Sequence, residues 1–109
     1  VGITVKIIDV SGAGRVGTTT LLEGISNRIT LRDLILTRIR DEVARFNAAP
    51  DQQRQLDWER QAERAIEAFG RNGFFVLVDD RQVTELDEEL DLTADSDIRF
   101  VRLVQLVGG

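Results

Sequence analysis

At 109 residues and 12.2 kDa the chain has the size of one ordinary domain, and it contains neither Cys nor His. Disulfides, thiolate chemistry, sulfur metal ligands and the commonest general base are thereby excluded, so neither a self-sufficient enzyme nor a metal site is expected. The net charge of −5 and pI near 4.7 argue against nucleic acid as the main partner. No apolar run approaches the roughly 20 residues of a membrane span and no signal-peptide pattern opens the chain, so a cytoplasmic protein is expected.

In chain order, Ile3–Val10 is rich in β-branched residues and reads as a strand with Ile3, Val5 and Ile7 facing inward. Ser11-Gly12-Ala13-Gly14 is a turn, and Val16–Leu22 reads as the hairpin partner. Thr30 is placed to cap a helix, with Asp33 three residues on. Leu31, Leu34, Ile35, Ile39, Glu42, Val43 and Phe46 then follow helical spacing, all but Glu42 apolar, which predicts an amphipathic helix over 31–47. After Pro50 a second helix is expected over 51–69, with Leu56, Ala62, Ala65, Ile66 and Phe69 as a weaker stripe ended by Gly70 and Gly73. Phe74–Val78 reads as a strand, Asp79-Asp80-Arg81 as a turn and 82–84 as a brief edge strand. Leu86, Leu90 and Leu92 lie in an acidic connection too irregular for a helix. A final strand is expected over 98–104, with an extended tail over 103–109. No repeat or linker interrupts this order, which reads as one α+β domain over 1–109.

Gly12, Gly14 and Gly17 spell the G-x-G-x-x-G of dinucleotide sites. That motif must open a helix onto the pyrophosphate, and the β-branched Thr18-Thr19-Thr20 follows instead, so a hairpin turn is expected. Nine carboxylates and one Arg occupy 79–97, either as solvated turns or as a face that docks a basic partner. Trp58 is either partly buried core or an exposed anchor for a partner. Arg102 falls where alternation from Ile98 and Phe100 would bury it, which predicts a bulge or a change of face. The last residues, Leu103-Val104-Gln105-Leu106-Val107-Gly108-Gly109, place two side-chain-free residues after an aliphatic run. Such a terminus can thread a narrow channel and present a carboxylate to a nucleotide.

Thr30-Leu31-Arg32-Asp33-Leu34, then Val76 through Val83, Leu92 through Ile98, Phe100-Val101 and the final Gly108-Gly109 together resemble the ubiquitin-like β-grasp proteins. The likeness is to their prokaryotic branch, which holds the molybdopterin-synthase small subunit, the thiamine-pathway sulfur carrier and the archaeal ubiquitin-like modifiers. The 51–69 segment is longer than the corresponding connection in sulfur carriers, and an aliphatic run stands where they commonly carry Pro-Pro. The resemblance implies a mixed four- to five-stranded sheet on one main helix, with 51–69 as an inserted helix and the first and last strands parallel in mid-sheet. The core should then hold Ile3, Val5, Ile7, Leu31, Leu34, Ile35, Ile39, Val43, Val76, Ile98 and Phe100.

The resemblance also implies a protein modifier whose Gly109 carboxylate an activating enzyme adenylates with ATP and a conjugating enzyme passes to target proteins. Gly108 and Gly109 would carry the chemistry, and Leu103, Val104, Leu106 and Val107 would lie in partner grooves. No cofactor would be bound by the chain itself, ATP being used by the activating enzyme, and neither nucleic acid nor membrane is an expected partner. Lys6, the single lysine, would be the one side chain able to accept another copy. Two alternatives are a sulfur carrier with a C-terminal thiocarboxylate, and a non-conjugated ubiquitin-like binding module.

Overall fold

The computed structural model describes residues 2–51 and 54–103. Its elements are β1 (Ile3–Ser11), β2 (Val16–Ile25), β3 (Arg28–Thr30), α1 (Leu31–Ala48), α2 (Trp58–Gly70), β4 (Phe74–Val78), β5 (Arg81–Val83), β6 (Glu89–Asp91) and β7 (Asp97–Arg102). Five strands form a mixed sheet in the order β2-β1-β7-β4-β5. β1 and β7 run parallel, and the other pairs in that sheet are antiparallel. The apolar stripe of α1 covers one sheet face, giving a β-grasp-like α+β fold.

The β1–β2 hairpin turns through Gly14, whose N–H donates to the Ser11 carbonyl at 2.9 Å and whose φ of 83° suits glycine. The strand that follows carries Val16 and the threonines, so the glycine motif is a hairpin turn and no helix opens there. Register shifts between Ile3 and Val5 and between Ile8 and Val10 mark two bulges in the β1–β2 ladder. Gly24 sits at one of them with φ 70°, so close to Gly2 that a Cβ on Gly2 would lie 2.4 Å from its backbone.

Thr30 caps α1, its Oγ1 accepting from the Asp33 N–H at 3.1 Å. Leu31, Leu34, Ile35 and Ile39 meet Val5, Ile7, Val76, Ile98 and Phe100 in a core where all nine are fully buried. Phe74 joins them, its ring stacked 5.7 Å from Phe100. Ile3 is only half-buried, because it lies at the β1 end beside the bulge.

Three elements depart from the expected layout. The second helix begins at Trp58, not at 51. Asn47 grips Leu56 through both its side-chain amide atoms, at 2.7 and 3.0 Å, and holds the approach to the helix extended. Asp57 then supplies the N-cap, its carboxylate accepting from the Glu59 N–H. Leu56 reaches the core from this connection rather than from a helical stripe. The helix ends through Asn72, at φ 61°, with the Gly73 N–H returning to the Ala68 carbonyl. The supposedly irregular 86–92 segment contains β6, which pairs antiparallel with β3 and buries Leu90. Finally, β7 holds continuous register with both β1 and β4 through Arg102, so no bulge or change of face occurs there.

Candidate functional site

Because β7 keeps its alternation, Arg102 follows Ile98 and Phe100 onto the inward face. Alternation puts Asp9 on the same face of β1, after Val5 and Ile7, beside Phe100 in the parallel ladder. On α1, Arg38 lies one turn before Glu42, in the phase of the buried stripe. The four side chains meet. Arg38, only 2% exposed, contacts Asp9 Oδ2 at 2.7 Å and Glu42 Oε1 at 2.6 Å. Arg102 Nη2 binds the same Glu42 oxygen, and its Nε lies 3.3 Å from Asp9 Oδ1. Two cations and two carboxylates neutralise one another, while Phe100 offers its ring face to the Arg38 guanidinium at 5.4 Å. Nε and Nη1 of Arg38 have no hydrogen-bond partner among the described residues, so the cation is held by charge and ring contacts beyond its two bonds.

This quartet fixes the last residue of β7, and Leu103 follows immediately. The Leu103 N–H donates to the Gly73 carbonyl at 2.9 Å, and its side chain lies against Gly12, where an added Cβ would come within 2.7 Å of its Cδ2. Gly73 thus holds the backbone where the tail begins and Gly12 lies against the Leu103 side chain, while Leu103 as a whole is 54% exposed. Val104, Leu106, Val107, Gly108 and Gly109 lie outside the described residues.

Lys6 is exposed on the outer face of β1, opposite Asp97 in the ladder. Five ladder positions separate that pair from the Ser11–Arg102 pair, so Lys6 stands about 16 Å along the sheet from the tail's root. The structure does not bring the two together. Trp58 is half-buried, as the first of its readings expected: it packs against the core and lines a surface groove, with the Arg40 guanidinium 4.3 Å from its ring centre.

Five of the nine carboxylates in the 79–97 segment are paired with the chain's own arginines. Arg81 holds Glu88, Arg32 holds Asp87, Arg28 holds Glu89 and Asp91, and Arg99 holds Asp97. The hydrogen bond from Arg99 keeps the Asp97 carboxyl below its ordinary value of 3.8. Surface pairs of this kind contribute little stability, yet they reduce the field a basic partner would feel. The solvated-turn reading therefore fits this segment better than a docking face. Among the described residues no group of three or more acidic side chains is arranged to hold a metal ion, and no helix is long and apolar enough to cross a membrane.

The Asp9–Arg38–Glu42–Arg102 quartet was not read from the sequence as a unit. Its signal was nevertheless present: charges of opposite sign stand in the buried phase of three elements expected to pack together. No family model, curated protein or solved structure matches the chain.

Proposed function

We propose that this chain is a ubiquitin-like protein modifier that works through its C-terminal Gly109. The β-grasp-like fold supports the reading, and one observation carries it. β7, central in the sheet, is anchored at Arg102 by a buried charge network and delivers Leu103 outward at the point where the diglycine tail begins. A rigid root matters because an activating enzyme must thread a short segment into its nucleotide site while gripping the folded body.

In the proposed cycle a Gly109 carboxylate oxygen attacks the α-phosphorus of ATP, and pyrophosphate leaves. A partner cysteine thiolate then displaces AMP to give a thioester, and a target amine displaces the thiolate to give an amide. The adenylating and thiol-bearing residues belong to partner enzymes. This chain contributes the carboxylate, the slender diglycine and the aliphatic grip of Leu103, Val104, Leu106 and Val107. A cytoplasmic setting follows from the need for ATP.

The sequence offers a direct test. Arg102 is the last basic residue, so trypsin acting on a conjugate leaves the branch Leu-Val-Gln-Leu-Val-Gly-Gly on the target lysine. Tandem mass spectrometry of host proteins should find lysines bearing this branch. Finding the same segment only as a free linear peptide, across a culture that expresses the protein abundantly, would defeat the proposal.

A further inference from the structure

One turn of helix separates Trp58, Ala62 and Ile66 along α2, and the same interval separates Glu59, Glu63 and Glu67 on the adjacent line. The first line faces Leu36 of α1 across a groove of about 470 Å³, in which the small Ala62 leaves depth between larger neighbours. The second line forms the wall of that groove, and all three glutamates are exposed. Beyond Trp58 the groove continues into a more polar depression of about 510 Å³ toward β3.

Two features set this wall apart from the other acidic surfaces. Like charges one turn apart on a helix repel, so the triple repeat works against α2 unless something opposes it. Among the described residues none of the three carboxylates takes part in an ion pair, whereas five of the nine carboxylates of the 79–97 segment are paired with arginines. No basic residue lines this groove itself, though the Arg40 guanidinium lies 4.3 Å from the Trp58 ring centre at its end, and Arg60 and Arg64 stand three residues before Glu63 and Glu67 on α2. An apolar floor is thus bordered by three exposed carboxylates that form no ion pair among the described residues.

We propose that this groove docks an amphipathic, basic helix of a partner protein. Apolar side chains of that helix rest on Leu36, Trp58, Ala62 and Ile66, and its lysines or arginines run beside Glu59, Glu63 and Glu67. The wall spans about 12 Å, so basic residues four apart on a helix laid along α2 meet all three carboxylates. Helix suits the site better than strand. Both walls are helices whose backbone groups are already paired, so an extended partner would find no edge to bond, while a helix satisfies its own backbone. The acidic wall repels nucleic acid. The groove shares no lining residue with the charge quartet or Leu103, and its docking does not depend on the modifier reading.

The test uses a synthetic peptide of about 18 residues with leucines on one face and lysines four residues apart beside them, and a second peptide with glutamates in place of the lysines. Trp58 is the only tryptophan, so its emission reports the groove directly. The lysine peptide should shift that emission to the blue and bind saturably, more weakly as salt rises. The E59K/E63K/E67K variant, checked by circular dichroism for its helices, should bind the lysine peptide at least tenfold more weakly and should gain affinity for the glutamate peptide. If that variant does not fold, the single E63Q substitution should still weaken binding of the lysine peptide. Removal of Gly108 and Gly109 should leave binding unchanged. Equal binding of both peptides by the native chain, or unchanged binding by the charge variants, would overturn the proposal. So would a dimer of this chain that E59K/E63K/E67K dissolves, since a second copy would then be the occupant.

Discussion

Arg38 sits beneath the sheet between Asp9 and Glu42, and its burial makes each of its partners consequential. Removing one member of a buried charge network leaves another charge uncompensated in a poorly solvated place, a change that typically costs about 3–5 kcal/mol. Glu42→Ala strips a carboxylate from both Arg38 and Arg102 and should lower unfolding free energy in urea by that order. Replacing Arg38 by Met in the same chain, with Glu42→Leu, leaves the Asp9–Arg102 pair. That double variant should be more stable than Glu42→Ala alone; if it is less stable, the network's charges are not its main contribution. Asp97 behaves differently because it is only half-buried. Its hydrogen bond from Arg99 lowers the folded carboxyl below 3.8, so the unfolded chain binds more protons in the acid range. The pair's contribution is complete above that range and is lost as pH falls through the folded value. Asp97→Asn should therefore be less stable than the parent near neutrality, with the difference shrinking as pH falls into the acid range below 3.8, in urea midpoints taken across the range. A difference that persisted unchanged into acid would contradict the assigned cause.

The elements that carry dense local periodicity were the ones legible in advance. The helix expected over 31–47 runs from Leu31 to Ala48, because cap and stripe agree. Ile35 is fully buried at its centre, and Ile35→Ala should cost about 2–5 kcal/mol. A thermal melt that did not move would reject that packing. Residues before Trp58 looked helical because helix-favouring side chains fill them, but propensity yields where tertiary bonds compete. The Asn47 side chain binds both backbone groups of Leu56, at 3.0 and 2.7 Å. Asn47→Ala should cost about 1–3 kcal/mol, since partly buried groups lose their partners. An unchanged urea midpoint would mean that solvent replaces those bonds. β3 and β6 were invisible for another reason. Each has three residues, and what makes them strands is a pairing between positions about sixty apart, with Arg28 across from Asp91. No local pattern encodes that contact. Arg102 was legible as an anomaly, and its explanation required the opposite charges on β1 and α1 that only the assembled sheet brings beneath it.

At the scale of the whole molecule, the sheet order puts the strand that leads to the tail between β1 and β4. The tail's root lies at one end of that strand and the sole lysine lies near the other. If the chain is a modifier, Lys6→Arg should abolish linkage of one copy to a side chain of another while leaving linkage to targets intact. Targets that lost their conjugates in the Lys6→Arg strain would show that Lys6 serves recognition instead. The groove between α1 and α2 shares no lining residue with the tail's root, so its peptide binding and the chemistry of Gly109 should be separable by substitution. The central claim is that Gly109 becomes covalently joined to other proteins. The most direct measurement is a denaturing blot, with intact-mass analysis, of the protein from its native host beside a strain in which Gly109 is deleted. The modifier reading requires higher-mass covalent bands that disappear with the deletion. A free chain in which sulfur replaces one carboxylate oxygen would make it a sulfur carrier instead, and an unmodified chain in both strains would contradict conjugation altogether.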